Sequence, residues 1–155
     1  MNDSLSIVVP VRNAERTLPK QVAALLDVLP DLTSRFELIL IDDGSTDQTV
    51  DLARELARRF PQVRLVRHSK PLGAAAAVRT GMARAAGKRV YVQEAHAWPT
   101  PGEVRRFWAN RHERQASDQD SIDAARIDEP HPAAAVPRGL TFLKHLKRLA
   151  LEQAN

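Results

Sequence analysis

Asp42 and Asp43 stand together at the end of an apolar run, in LILIDDGSTDQTV (38–50), after which the chain turns through Gly-Ser-Thr-Asp. Adjacent carboxylates at such a place have two uses. They open a turn, because Asp caps helices and builds Asx turns, or they accept hydrogen bonds from a ligand such as a base N–H or ribose hydroxyls. A cap needs one acceptor, and Ser45 or Thr46 is already placed to supply it, so at least one carboxylate is left over. The spacing from Ser45 to Gln48 predicts a capping box for the helix that follows. Other strand-like runs also end in polar residues: Pro10, Arg12 and Asn13 after the first, His68 and Ser69 after the third, Glu94 and His96 after the fourth.

The elements that must position these residues are legible in the pattern. SIVVPV (6–11) predicts a strand that stops pairing at Pro10. Leu18, Val22, Leu25, Leu26 and Leu29 recur at helical spacing, with Pro19 tolerated in the first turn. ELILID (37–42) is nearly continuous in apolar residues, as in a strand covered on both faces of a parallel sheet. Val50, Ala53, Leu56, Ala57 and Phe60 mark one face of a second helix. VRLVR (63–67), AAAAVRTGMARAA (74–86) and RVYVQ (89–93) predict a third strand, a third helix and a fourth strand, and residues 101–112 predict another helix with Val104, Phe107 and Trp108 on its apolar side. Strands alternating with helices of this length imply right-handed crossovers, so the fold class is α/β, Rossmann-like, with a mainly parallel sheet and helices on both faces. In such a sheet ligands sit beyond the carboxyl ends of the strands, near the point where strand order reverses.

Composition sets bounds on the function. The 155 residues, 43% hydrophobic and 27% charged, suit one domain with a real core. There is no cysteine, which excludes disulfides and thiolate metal sites. The net charge of +4 is spread along the chain rather than blocked, a poor basis for nucleic-acid binding. No stretch is long and apolar enough for a membrane span and no signal-peptide order opens the chain, so the expected location is the cytoplasm, with peripheral membrane association as an option. Residues 113–138 are polar, acidic and dotted with Pro, predicting an irregular linker. Residues 139–155 return to helical spacing, with Lys144, Lys147 and Arg148 on one side, enough for only weak contact with a membrane surface. GAAAAVRTG matches neither of the common phosphate loops, and its alanines predict close packing of helix on sheet. His68, His112, His131 and His145 are scattered and read as surface histidines, and Trp98 and Trp108 as covers for the sheet edge.

Taken in order, SIVVPVRNAERTL, ELILIDDGSTDQTVDLA and KPLGAAAAVRTGMARAAGKRVYV resemble the nucleotide-binding half of family 2 glycosyltransferases, which have the GT-A fold. The resemblance covers about residues 5–108 and makes residues 1–112 a nucleotide-sugar-binding domain. It implies a nucleotide-diphospho-sugar ligand, with Pro10, Arg12 and Asn13 flanking the base, Asp42 bonding to it and Asp43 supporting the loop. Gly73 would lie at the diphosphate, with Arg79 as the nearest cation. A divalent metal, Mn²⁺ or Mg²⁺, would be held where the family has Asp-x-Asp and this chain has Glu94-Ala95-His96; an imidazole there favours Mn²⁺. Arg12 replaces a customary aromatic residue, Ala14 a customary acid, and Pro71 and Ala74 an Asn and a basic residue. No catalytic base is assigned, because the acids of 113–138 have no fixed place. Two functions are therefore expected: a donor-binding transferase domain, inverting if active, or a non-catalytic module pairing with another transferase chain or with itself.

Overall fold

The computed structural model describes residues 3–93 and 97–110. Its elements run in strict alternation: β1 (Leu5–Val11), α1 (Leu18–Leu32), β2 (Phe36–Asp43), α2 (Thr49–Arg59), β3 (Val63–His68), α3 (Ala74–Arg84), β4 (Arg89–Val92) and α4 (Pro101–Ala109). The linker expected at 113–138 and the helix expected at 139–155 lie outside the described residues. The strands form one parallel sheet in the order β3-β2-β1-β4, so the chain moves outward from β1 to β3 and then crosses to the opposite edge.

Alternation along the strands divides the core into two layers. Leu5, Ile7, Val9, Val11, Leu38 and Leu40 face one side, where α1, α2 and α4 cover them with Leu18, Val22, Leu25, Leu29, Ala53, Val104 and Trp108. Val8, Ile39 and Ile41 face the other side, under α3. Each fully buried Leu, Ile or Val side chain contributes about 1.5–3 kcal/mol through removal from water. The helix α3 sits close to the sheet through Ala77 and Gly81; a Cβ at Gly81 would come within 2.1 Å of Val8 Cγ1. Small residues in GAAAAVRTG thus serve packing, as their type predicts.

Pro10 brings no donor to the β4 side of β1. Val8 C=O accepts from the Gln93 N–H, so Pro10, two residues on, faces β4 with no N–H to offer. Among the described residues β1 pairs with β4 as far as Val8 and Val92, and with β2 as far as Val11 and Asp42. Strand order reverses between β1 and β4, and an open parallel sheet takes its ligands beside such a point.

The capping box expected at Ser45 and Gln48 is absent. The residue before α2 is Gln48, without a side-chain cap; the Thr49 N–H and hydroxyl both donate instead to Asp47 Oδ1. A capping box does form at α4, between Thr100 and Glu103.

At the amino end of the sheet, Glu37 gathers donors from β1, β3 and the segment between α3 and β4. Its Oε1 accepts from Ser6 Oγ at 2.6 Å and the Ala86 N–H at 2.7 Å, and its Oε2 from Arg64 at 2.7 Å. Burial alone would raise the carboxyl's pKa, but these hydrogen bonds outweigh it and hold the group below its ordinary value. A depressed carboxyl stabilises the fold above its unfolded pKa, near 4.5, and loses that contribution as pH falls through the folded value. Glu37→Gln is therefore expected to cost about 1 kcal/mol at pH 7 in urea unfolding. The gap from wild type should narrow in melts run below pH 4.5; an unchanged gap would remove the charge from this account.

Candidate nucleotide site at the carboxyl rim of the sheet

The end of β2 places two acids where a strand can send them only to opposite faces. Asp42 shares the face of Leu38 and Leu40, towards α1 and α2, and Asp43 the face of Ile39 and Ile41, towards α3. Cross-strand pairing sets each beside a base of β3: Asp42 is in register with Arg67 and Asp43 with His68.

Asp43 is fully engaged. Its Oδ1 lies 2.8 Å from His68 Nδ1 and accepts from the Leu72 N–H at 2.8 Å; its Oδ2 accepts from the Gly73 N–H at 2.9 Å. His68 Nε2 in turn meets Thr80 Oγ1 of α3 at 2.8 Å. Burial would raise the Asp43 pKa, and the His68 and amide hydrogen bonds overcome it and lower the value. His68 is therefore buried, at 8% exposure, rather than a surface histidine: its ring carries an apolar body between two polar partners supplied by β2 and α3. The turn that follows β2 must pass under this loop. Gly44 has φ 69°, and a Cβ on it would lie 2.6 Å from Pro71 N, so only glycine fits.

Asp42 is different. It has no exposure, its Oδ2 accepts from the Ser45 N–H at 3.2 Å, and Arg67 Nε approaches Oδ2 only to 3.8 Å. Its Oδ1 is buried without a hydrogen-bond partner among the described residues. A buried carboxylate oxygen with no donor is costly, which makes Asp42 a group built to receive one.

The remaining expected residues divide. Arg12 is exposed one residue beyond Val11, the register partner of Asp42. Asn13 has φ 47°, and its Oδ1 accepts from the Thr46 N–H at 2.9 Å while its own N–H donates to Ser45 Oγ. Further bonds join Ala14 to Thr49, Glu15 to Asp47 and Gln48 to Glu15. The loops after β1 and β2 are thus laced together, and the Asn13 carbonyl is engaged in that lacing. Pro10 and Gly73 lie at the same rim, whereas Arg79 is exposed within α3 and, among the described residues, bonds to none of them. Sequence reading passed over Arg67; the signal was that IDD and VRH close neighbouring strands, so an acid pair and a base pair fall side by side.

The chain matches the model of glycosyl transferase family 2 over residues 6–144. It belongs to that family. A Bacillus subtilis relative, the uncharacterized glycosyltransferase YkcC, is 31% identical over 62% of this family 2 chain and 30% of its own length. The undecaprenyl-phosphate 4-deoxy-4-formamido-L-arabinose transferase of Pseudomonas aeruginosa is 30% identical over 84% of this chain and 38% of its own. Among solved structures, the mannosyltransferase PcManGT from Pyrobaculum calidifontis, in complex with GDP-Man and Mn²⁺, superposes with a TM-score of 0.60 at 22% identity, over 72% of this chain and 34% of that one. S. aureus TarS 1-349 in complex with UDP-GlcNAc gives 0.60 at 18% identity, over 72% and 32%. The fold is that of GT-A glycosyltransferases. The family 2 chain spans about a third of the length of these proteins.

The described residues do not make a metal centre. No three of His, Asp and Glu come together among them; Asp43 has both oxygens engaged, and one oxygen of Asp42 is too few for a divalent cation. Glu94 and His96, the expected ligands, lie outside the described residues. Nor is any helix among the described residues long and apolar enough to cross a membrane.

Because Asp43 ties both the Leu72 and Gly73 amides to the sheet end, Asp43→Asn is expected to destabilise the domain by about 2–3 kcal/mol. The amides of Leu72 and Gly73 should exchange hydrogen faster in the variant at pH 7 while those of β1 and β2 keep their order. Equal protection of the loop in both proteins would contradict the anchoring role.

Proposed function

We propose that this chain is the donor-binding part of a family 2 glycosyltransferase and takes a nucleotide-diphospho-sugar at the carboxyl rim of the sheet. The observation that carries the reading is the buried Oδ1 of Asp42, without a partner among the described residues, at the end of a central strand where an open parallel sheet takes its ligands. In this proposal Oδ1 accepts the ring N–H of the base. Arg12 and Pro10 flank the ring, the Arg through its guanidinium face. Asp43 acts at one remove, holding the Leu72 and Gly73 amides in place beside the diphosphate.

Two relatives at about this level of similarity bear the names of sugar-nucleotide complexes, PcManGT with GDP-Man and TarS with UDP-GlcNAc, and they support the ligand class. The Mn²⁺ of the former supports a divalent metal here as well. Glu94 and His96 are proposed as the protein's share of its ligands, with phosphate oxygens completing the set. Such a metal would neutralise charge on the diphosphate leaving group. Relatives named for undecaprenyl-phosphate and dolichyl-phosphate make a polyprenyl phosphate the acceptor class to test first.

Calorimetric titration of the chain with UDP- and GDP-sugars, with and without Mn²⁺, tests the reading. Binding is expected with at least one nucleotide. Asp42→Asn, which keeps the shape of the side chain and its bond to the Ser45 N–H, should weaken that binding by roughly tenfold or more. No heat of binding at millimolar ligand would end the proposal.

A further inference from the structure

We propose that His68 is a positioning residue of the rim: it pins Asp43 and α3 to each other, and so sets where the Leu72 and Gly73 amides stand when a ligand arrives. For its effect on a ligand the inference rests on the nucleotide reading above; for its effect on the loop it does not.

The bonds close a ring. Asp43 Oδ2 accepts from the N–H of Gly73, the residue before α3, and the Ala77 N–H donates to the Gly73 carbonyl as the helix begins. Further along the helix, Thr80 Oγ1 meets His68 Nε2 at 2.8 Å, and His68 Nδ1 returns to Asp43 Oδ1 at 2.8 Å. The opening turns of α3 are therefore held to one carboxylate at two points, directly at Gly73 and through the imidazole at Thr80. Ala77 and Gly81 bring the helix close to the sheet, but side chains so small give little purchase against sliding. The ring of bonds supplies that purchase.

The two partners also fix the state of the imidazole. An ionised carboxylate only accepts, so the proton of a neutral ring sits on Nδ1, facing Asp43, and Nε2 accepts from the Thr80 hydroxyl. With 8% of His68 exposed, water has little access to replace either partner. A proton on Nε2 instead would set a lone pair against Asp43 and release the carboxylate from β3.

Asn and Gln separate positioning from the mere filling of space. The amide nitrogen of Asn stands near the place of Nδ1 and can donate to Asp43; that of Gln stands near the place of Nε2 and serves Thr80. Both lose the apolar body of the ring. The full chain, His68→Asn and His68→Gln are compared by hydrogen exchange at Leu72 and Gly73, by urea unfolding, and by calorimetric titration with UDP- and GDP-sugars. His68→Asn is expected to keep loop protection and affinity within roughly threefold of wild type. His68→Gln should speed exchange at both amides and weaken binding by roughly tenfold or more, at a global stability like that of His68→Asn. Equal loop exchange in the two variants would overturn the proposal, and so would faster exchange in His68→Gln at unchanged affinity. Should both variants unfold, the wild-type ring decides: its nitrogen NMR shifts in mildly alkaline solution are expected to show the proton on Nδ1, and a proton on Nε2 would overturn the proposal. A wild type that binds none of the sugar nucleotides would end the nucleotide reading alone, since loop exchange and the ring tautomer test this inference without a ligand.

Discussion

A carboxylate taken out of water has to find donors, and the end of β2 buries two of them side by side. The strand geometry forbids a shared solution, because neighbouring side chains leave on opposite faces. Asp43 finds its donors within the fold, from His68 and from the amides that lead into α3. Asp42 finds one amide and a distant guanidinium, and one of its oxygens has no donor among the described residues. Much of the rim follows from this asymmetry: one acid builds the loop, the other waits at its edge.

The frame around the pair is held by features far from it. Glu37, Ser6 and Arg64 lock the opposite end of the same strands, so β1, β2 and β3 enter the rim in fixed register. Among the described residues β1 stays paired with β2 as far as Val11 and Asp42, beside the point where strand order reverses. The lacing of Asn13, Ala14 and Glu15 onto Ser45, Thr49 and Asp47 removes freedom from both loops that border Asp42. A ligand bound there, as proposed, would meet walls that are already joined and cost little ordering.

Membership of glycosyl transferase family 2 and the geometry bear on different parts of the function. The family match says what the chain is related to, and the geometry shows Asp42 buried at the rim with Arg67 Nε 3.8 Å from its Oδ2. Arg12 is exposed one residue beyond Val11, the register partner of Asp42.

The strand-helix alternation, the parallel sheet and the rim at which Pro10, Arg12 and Asp42 gather were all readable along the chain, because periods of two and 3.6 residues report burial directly. That Asp43 holds a loop was expected from the family resemblance, and the structure shows its bonds to the Leu72 and Gly73 amides; why Asp42 and Asp43 differ was not legible. That cause needed the register of β3 against β2, which sets Arg67 beside one acid and His68 beside the other. His68 looked like a surface residue for the same reason: nothing local announces a partner 25 positions away in Asp43 or 12 away in Thr80. Ser45 looked like a cap because capping signals are local, yet its hydroxyl was claimed by the Asn13 N–H, 32 positions distant. Local pattern determined which elements form and what they bury; hydrogen bonds between residues remote in the chain decided which polar groups remained free.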